Sequence, residues 1–139
     1  MKRLLIILVL HSVFCIPHSS AQTKYIIGGR TFSITLHVTG ASRPGMEWKS
    51  DAISFEGTKL TAKVIGTKEH FPPFDCTFYA DSSAKEMKLR FSASGKNNGG
   101  STINWEGTIA GDKIEGTATW TNMHGPETLT FTGKVKGKK

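Results

Sequence analysis

Read two residues at a time, the stretch 103–120 separates into two arms. Ile103, Trp105, Gly107 and Ile109 share one side of the first arm, and Ile114, Gly116, Ala118 and Trp120 share one side of the second, with Thr, Asn, Glu and Lys opposite. A period of two with one apolar side predicts paired strands that keep one face in water. Gly111-Asp112 between the arms supplies the turn, since glycine accepts positive φ and aspartate bonds its own backbone.

The same alternation recurs along the chain. It places Phe32, Ile34, Leu36 and Val38 inward on a first strand, then predicts two short strands, one carrying Ile53 and Phe55 and one running from Lys59 to Val64. Phe74, Cys76, Phe78 and Ala80 follow on another inner face, then Met87, Leu89, Phe91 and Ala93, and finally Leu129, Phe131, Gly133 and Val135. Between them lie stretches rich in Gly, Pro, Asn and Ser that read as connections: 39–49, 66–73, 94–101 and 122–126. Pro72-Pro73 bars ladder hydrogen bonds in the second of these. No segment shows a convincing helical period.

A small unit repeats as Phe55-Glu56-Gly57-Thr58, Trp105-Glu106-Gly107-Thr108, Ile114-Glu115-Gly116-Thr117 and Phe131-Thr132-Gly133-Lys134. In the three later copies the large residue and the glycine fall on one sheet face; in the first, the glycine suits a turn. Glycine inside a strand allows a bend and leaves room for a neighbouring aromatic to lie over it. About eight strands joined mostly by hairpins, with bends marked by glycine, describe an all-β fold, an antiparallel up-and-down β-barrel of calycin-like architecture. A two-sheet sandwich fits the alternation too, but hairpin-like links and glycines within strands favour the barrel. With Phe32, Phe55, Phe74, Phe78, Phe91, Trp105, Trp120 and Phe131 inward, any cavity is modest or confined to one end.

Composition changes the picture at the N-terminus. Lys2 and Arg3 precede an apolar run over 4–16, broken by His11 and Ser12, and Ser19-Ser20-Ala21 offers a small-residue exit. These are the parts of a secretory signal peptide, so the expectation is a signal at 1–21 and a single domain over 22–139, exported to the periplasm or secreted. The run is shorter than the roughly 20 apolar residues of a membrane-crossing helix, and no transmembrane segment is expected. Cleavage before Cys15 to give a lipoprotein is disfavoured by the bulky Phe14. With Cys15 removed, Cys76 is the remaining thiol, which excludes a disulfide framework. The formal charge of +7 includes Lys2 and Arg3, and Lys134, Lys136, Lys138 and Lys139 crowd the C-terminus. Lysines at a strand end protect an edge. Export and the scatter of basic residues argue against a nucleic acid partner.

No catalytic motif stands out. His37, His70 and His124 are not spaced as metal ligands, although His70 and His124 have Glu69 and Glu127 near in sequence, and no nucleophile-elbow or zinc-protease string occurs. Cys76, on an apolar face, reads as a quiet core residue. The glycine-rich stretch 95–100 lacks the lysine-serine ending and helix of a phosphate loop. The reading is therefore non-enzymatic, without cofactor or metal.

In architecture the chain resembles the calycin barrels, the lipocalin and fatty-acid-binding group. Through the series Trp105-Glu106-Gly107-Thr108, Gly111-Asp112, Ile114 to Trp120 and Phe131-Thr132-Gly133, it also looks like a set of short exported bacterial proteins of unknown function. The resemblance implies a barrel and no activity. Lipocalins carry a Gly-X-Trp motif in the first strand and a terminal helix; Gly29-Arg30-Thr31-Phe32 has no Trp, so ligand transport is not carried over. The leading expectation is an exported monomeric binding protein that takes a small apolar or amphipathic ligand at one barrel end, with Trp48, Phe71, Met123 and His124 at the mouth. The alternative is an envelope interaction module, such as a hydrolase inhibitor or assembly accessory, that works through loops and edges.

Overall fold

The computed structural model describes residues 29–39, 50–81 and 87–137. The predicted signal, the 40–49 connection and Trp48 lie outside the described residues. Eight strands follow one another in chain order: β1 (Thr31–Thr39), β2 (Ser50–Glu56), β3 (Lys59–Ala62), β4 (Phe74–Asp81), β5 (Lys88–Lys96), β6 (Thr102–Ala110), β7 (Lys113–Asn122) and β8 (Gly125–Val135). Each pairs antiparallel with the next, and β8 returns to β1, which closes the barrel. The all-β up-and-down barrel expected from the alternation is the fold observed.

Register carries the inward residues into rings around the barrel. Cys76, Ala93, Trp105, Ala118, Leu129 and Val38 form one cross-strand row; Phe78, Phe91, Gly107, Gly116, Phe131 and Leu36 form the next. Glycine alternates with aromatics for a steric reason. A Cβ on Gly107 would stand 2.6 Å from the Phe91 ring, and one on Gly116 would stand 2.6 Å from the Gly107 Cα and 2.8 Å from Phe131. The aromatic over each glycine therefore comes from the adjoining strand, β5 or β8, rather than from the glycine's own repeat.

Several local expectations change, among them the 94–101 connection, which narrows to 97–101 because β5 runs on to Lys96. The strand expected over 59–64 ends at Ala62, and a short helix, α1 (Lys63–Glu69), occupies what read as the end of a strand and the start of a loop. Its first N–H groups have no cap from Ala62. Asp51, at an inward position on β2 opposite Ile34, supplies one from the strand that pairs with β3. Its Oδ1 accepts from Val64 N–H at 2.7 Å and Ala52 N–H at 2.6 Å, and its Oδ2 accepts from Ile65 N–H at 3.1 Å. At 6% exposure it is the buried charged side chain among the described residues. The helix stops at His70, which takes left-handed backbone at φ 57. Met87, expected on an inner face, precedes β5 and is 66% exposed, because its strand begins only at Lys88. The 122–126 connection shrinks to a two-residue turn, Met123-His124, since β7 and β8 pair as far as Asn122 and Gly125.

The β3–β4 seam is short. Only Lys59 and Leu60 pair with Asp75 and Phe74, supplemented by the Cys76 N–H to Thr58 C=O bond at 2.8 Å and a Lys59–Asp75 ion pair. The alternating links put α1, the 97–101 turn and Met123-His124 at one end of the barrel. The Gly57-Thr58 and Gly111-Asp112 turns lie at the other.

Candidate functional site

The expected mouth residues share an end but not an environment. Phe71 follows α1, is 7% exposed, bonds Gly66 C=O through its N–H at 3.2 Å, and sets its ring 5.6 Å from that of Phe74. It is packed as a plug. Met123 is 92% exposed on the β7–β8 turn, and His124 beside it is also exposed, its N–H held by Asn122 Oδ1 at 2.8 Å. Trp48 lies outside the described residues. Asn97 Nδ2 donates to Glu69 C=O at 2.9 Å and ties the 97–101 turn to α1.

Below this end the interior is occupied by rings. Phe71, Phe74, Trp105, Phe131, Phe91, Phe55 and Phe32 form an unbroken run of contacts, with centroids 5.2 to 6.4 Å apart. The indole N–H of Trp105, fully buried, has no hydrogen-bond partner among the described residues. Cys76 is buried among these groups, and burial pushes its thiol up to about 12, so it stays protonated and unreactive at neutral pH. His37 points outward on β1, and His70 is exposed at the end of α1. Among the described residues no three His, Cys, Asp or Glu side chains gather as a metal site.

A broad concavity lies on the outer wall. It is an open depression of about 1220 Å³ across β5 to β8, with Tyr79 of β4 on its rim. Its lining includes the directly paired Gly107 and Gly116, whose backbones lie between the outward side chains of Glu106, Thr108, Glu115 and Thr117. The register gives this part of the lining a local two-fold character. Glu106 pairs with Thr117 and Thr108 with Glu115, so the two Glu-Gly-Thr repeats face each other head to tail. The carboxylates occupy opposite corners of the glycine pair, both exposed, and neither forms an ion pair among the described residues. Arg90 and Ser92 stand on the β5 side, Thr130 and Thr132 on the β8 side, and Tyr79 is 59% exposed. A smaller depression of about 600 Å³ adjoins it and shares Thr108, Glu115 and Thr132.

None of these wall residues was expected from the sequence to form a site. Their signal was the Glu-Gly-Thr repeat itself, legible as a curvature device but not as a surface. Solvent-facing threonines and glutamates look alike on every strand, and only pairing shows that the two repeats meet. Fold and wall together define a ring-filled up-and-down barrel with a polar external depression. No family model, curated protein or solved structure matches the chain.

Proposed function

We propose that this chain is an exported, non-enzymatic interaction module that holds an extended segment of an envelope protein against the outer wall over β5 to β8. The observation that carries this reading is the pair of facing Glu-Gly-Thr repeats. It combines a concave surface with two exposed carboxylates at opposite corners, unpaired among the described residues and suited to basic side chains of a partner segment. The rings that fill the interior support the same choice, because they leave the outer wall as the larger receiving surface.

The test begins with native purification of residues 22–139 and solvent extraction, which should yield no stoichiometric small molecule. The partner retained from an envelope extract should be lost on the double charge reversal Glu106→Lys with Glu115→Lys, with the melting temperature unchanged, since both side chains are exposed. Retention of the partner by that variant would refute the assignment. A small apolar ligand at the α1 end is the second reading, favoured by the buried Trp105 N–H without a partner and by Phe71, Met123 and His124 at one end. It requires a stoichiometric molecule in the extract, and Phe71→Ala would then weaken that ligand with little loss of stability. The packing of Phe71 on Phe74 argues for the opposite result, a loss of about 3 kcal/mol in stability.

A further inference from the structure

Strand pairing gathers lysines at the Gly111-Asp112 end of the wall. Lys113 of β7 pairs directly with Lys134 of β8, and Lys88 of β5 lies in the same cross-strand row, separated from Lys113 by Ala110 alone. Directly opposed side chains of an antiparallel pair stand about 5 Å apart at Cβ, and like charges so placed repel. All three lysines are exposed, and none forms an ion pair among the described residues. Edge protection does not account for Lys134, because β8 is paired with β7 on one side and with β1 on the other. Lys88 and Lys113 are two strand spacings apart, roughly 10 Å at the backbone, and the small Ala110 leaves the space between them open. The row is a cradle of cations without an anion.

The next outward row has a different chemistry. Thr108, Glu115 and Thr132 pair across β6, β7 and β8, two residues along from the lysine row and so about 7 Å from it. Both rows line the smaller depression of about 600 Å³, with Ser33 and Thr35 of β1 beyond them. Glu115 is the carboxylate among its described lining residues, and it decides what kind of anion suits the place. Inorganic phosphate would gain from the lysines but would be repelled by Glu115 and would leave the second row unused. A molecule with an anion at one end and hydroxyl groups at the other uses both rows. Ammonium groups donate to the anion, the carboxylate accepts from hydroxyls, and threonine hydroxyls do either.

We propose that this depression binds a phosphorylated sugar or polyol, its phosphate held by Lys88, Lys113 and Lys134 and its hydroxyls by Thr108, Glu115 and Thr132. The site does not rest on the partner-segment reading, since none of the three lysines lines the broader depression. The test is NMR titration of the purified protein with glucose 6-phosphate, and separately with inorganic phosphate and with glucose. Glucose 6-phosphate should shift the amide signals of Lys113, Glu115 and Lys134 and bind at least roughly tenfold more tightly than either other probe, because each of those reaches one row only. Lys113→Gln with Lys134→Gln should weaken it at least roughly tenfold while the melting temperature holds or rises, since the same change removes the like-charge pair. Thr132→Val should weaken glucose 6-phosphate and leave inorganic phosphate unchanged. Cosedimentation with phosphatidylcholine vesicles that carry phosphatidylinositol 4-phosphate, lost in the double lysine variant, would put the phosphate on a lipid headgroup; binding of glucose 6-phosphate without cosedimentation would make it a free sugar phosphate. The proposal is overturned by binding to neither probe, by equal affinity for inorganic phosphate and glucose 6-phosphate, by binding undiminished in the double variant, or by equal cosedimentation with phosphatidylserine vesicles.

Discussion

Removing the Asp51 carboxylate tests whether α1 is held from the neighbouring strand β2. The side chain accepts the Val64 and Ile65 N–H groups, at 2.7 and 3.1 Å, and Ala62 contributes no side-chain cap in its place. Asp51→Ala leaves two helix-start donors without acceptors, the one at Ile65 fully buried. At about 1.5 kcal/mol for each charge-assisted bond, the cost is about 3 kcal/mol. For a domain of this size the melting temperature falls by about 4 °C per kcal/mol, so a drop of about 12 °C is expected. Asp51→Asn keeps one carbonyl oxygen for two donors and should lose about half as much. Circular dichroism melts give the temperatures, and amide exchange at Ile65 localises the effect. A loss below about 1 kcal/mol for Asp51→Ala, or equal losses for Ala and Asn, would refute the capping account, since a cap alone is worth about that much.

Two further perturbations probe the core. Gly116→Ala drives a methyl into the Glu106 carbonyl oxygen, the Gly107 Cα and the Phe131 ring, two of them backbone that cannot yield. It should cost about 3 kcal/mol by urea unfolding, at the upper end of overpacking penalties, whereas Gly137→Ala, which meets nothing, should be neutral. Burial raises the Cys76 thiol to about 12. Between its ordinary value and that one, the unfolded chain sheds a proton that the folded chain keeps, so stability falls as pH rises through the window. The fall should be shallower in Cys76→Ala, and a folded wild type should resist thiol alkylation at pH 8.

The strands were legible because alternation is local. Phe32 to Val38, Ile103 to Ile109 and Ile114 to Trp120 each declare their inner face within a few residues, and the structure buries all but Val38 and the two glycines on those faces. Helix α1 was not legible for the converse reason. Lys63-Val64-Ile65-Gly66 has neither a local cap nor an amphipathic stripe, and the carboxylate that starts the helix lies on another strand. Met87 misled because alternation does not say where pairing begins. For the candidate site, Phe71 could be found as an aromatic beside prolines, but whether it seals or receives depends on Phe74 beneath it. The wall over Gly107 and Gly116 depends on register, which the sequence states only after the hairpin is built.

Closure between β1 and β8 has a kinetic consequence. Strands β4 to β8 are successive hairpins, each formed from neighbours in the chain, whereas Thr39 meets Thr128 across 89 positions. Joining ends that far apart costs about 3 kcal/mol more chain entropy than closing a four-residue turn, and nothing repays it until several pairs have formed. The meander of β4 to β8 should therefore assemble first, with β1 arriving late. In that interval the inner faces of Phe91, Trp105 and Phe131 are a bare aromatic sheet. The newly made chain is then at its most adhesive, and its yield depends on how quickly the first strand reaches the last.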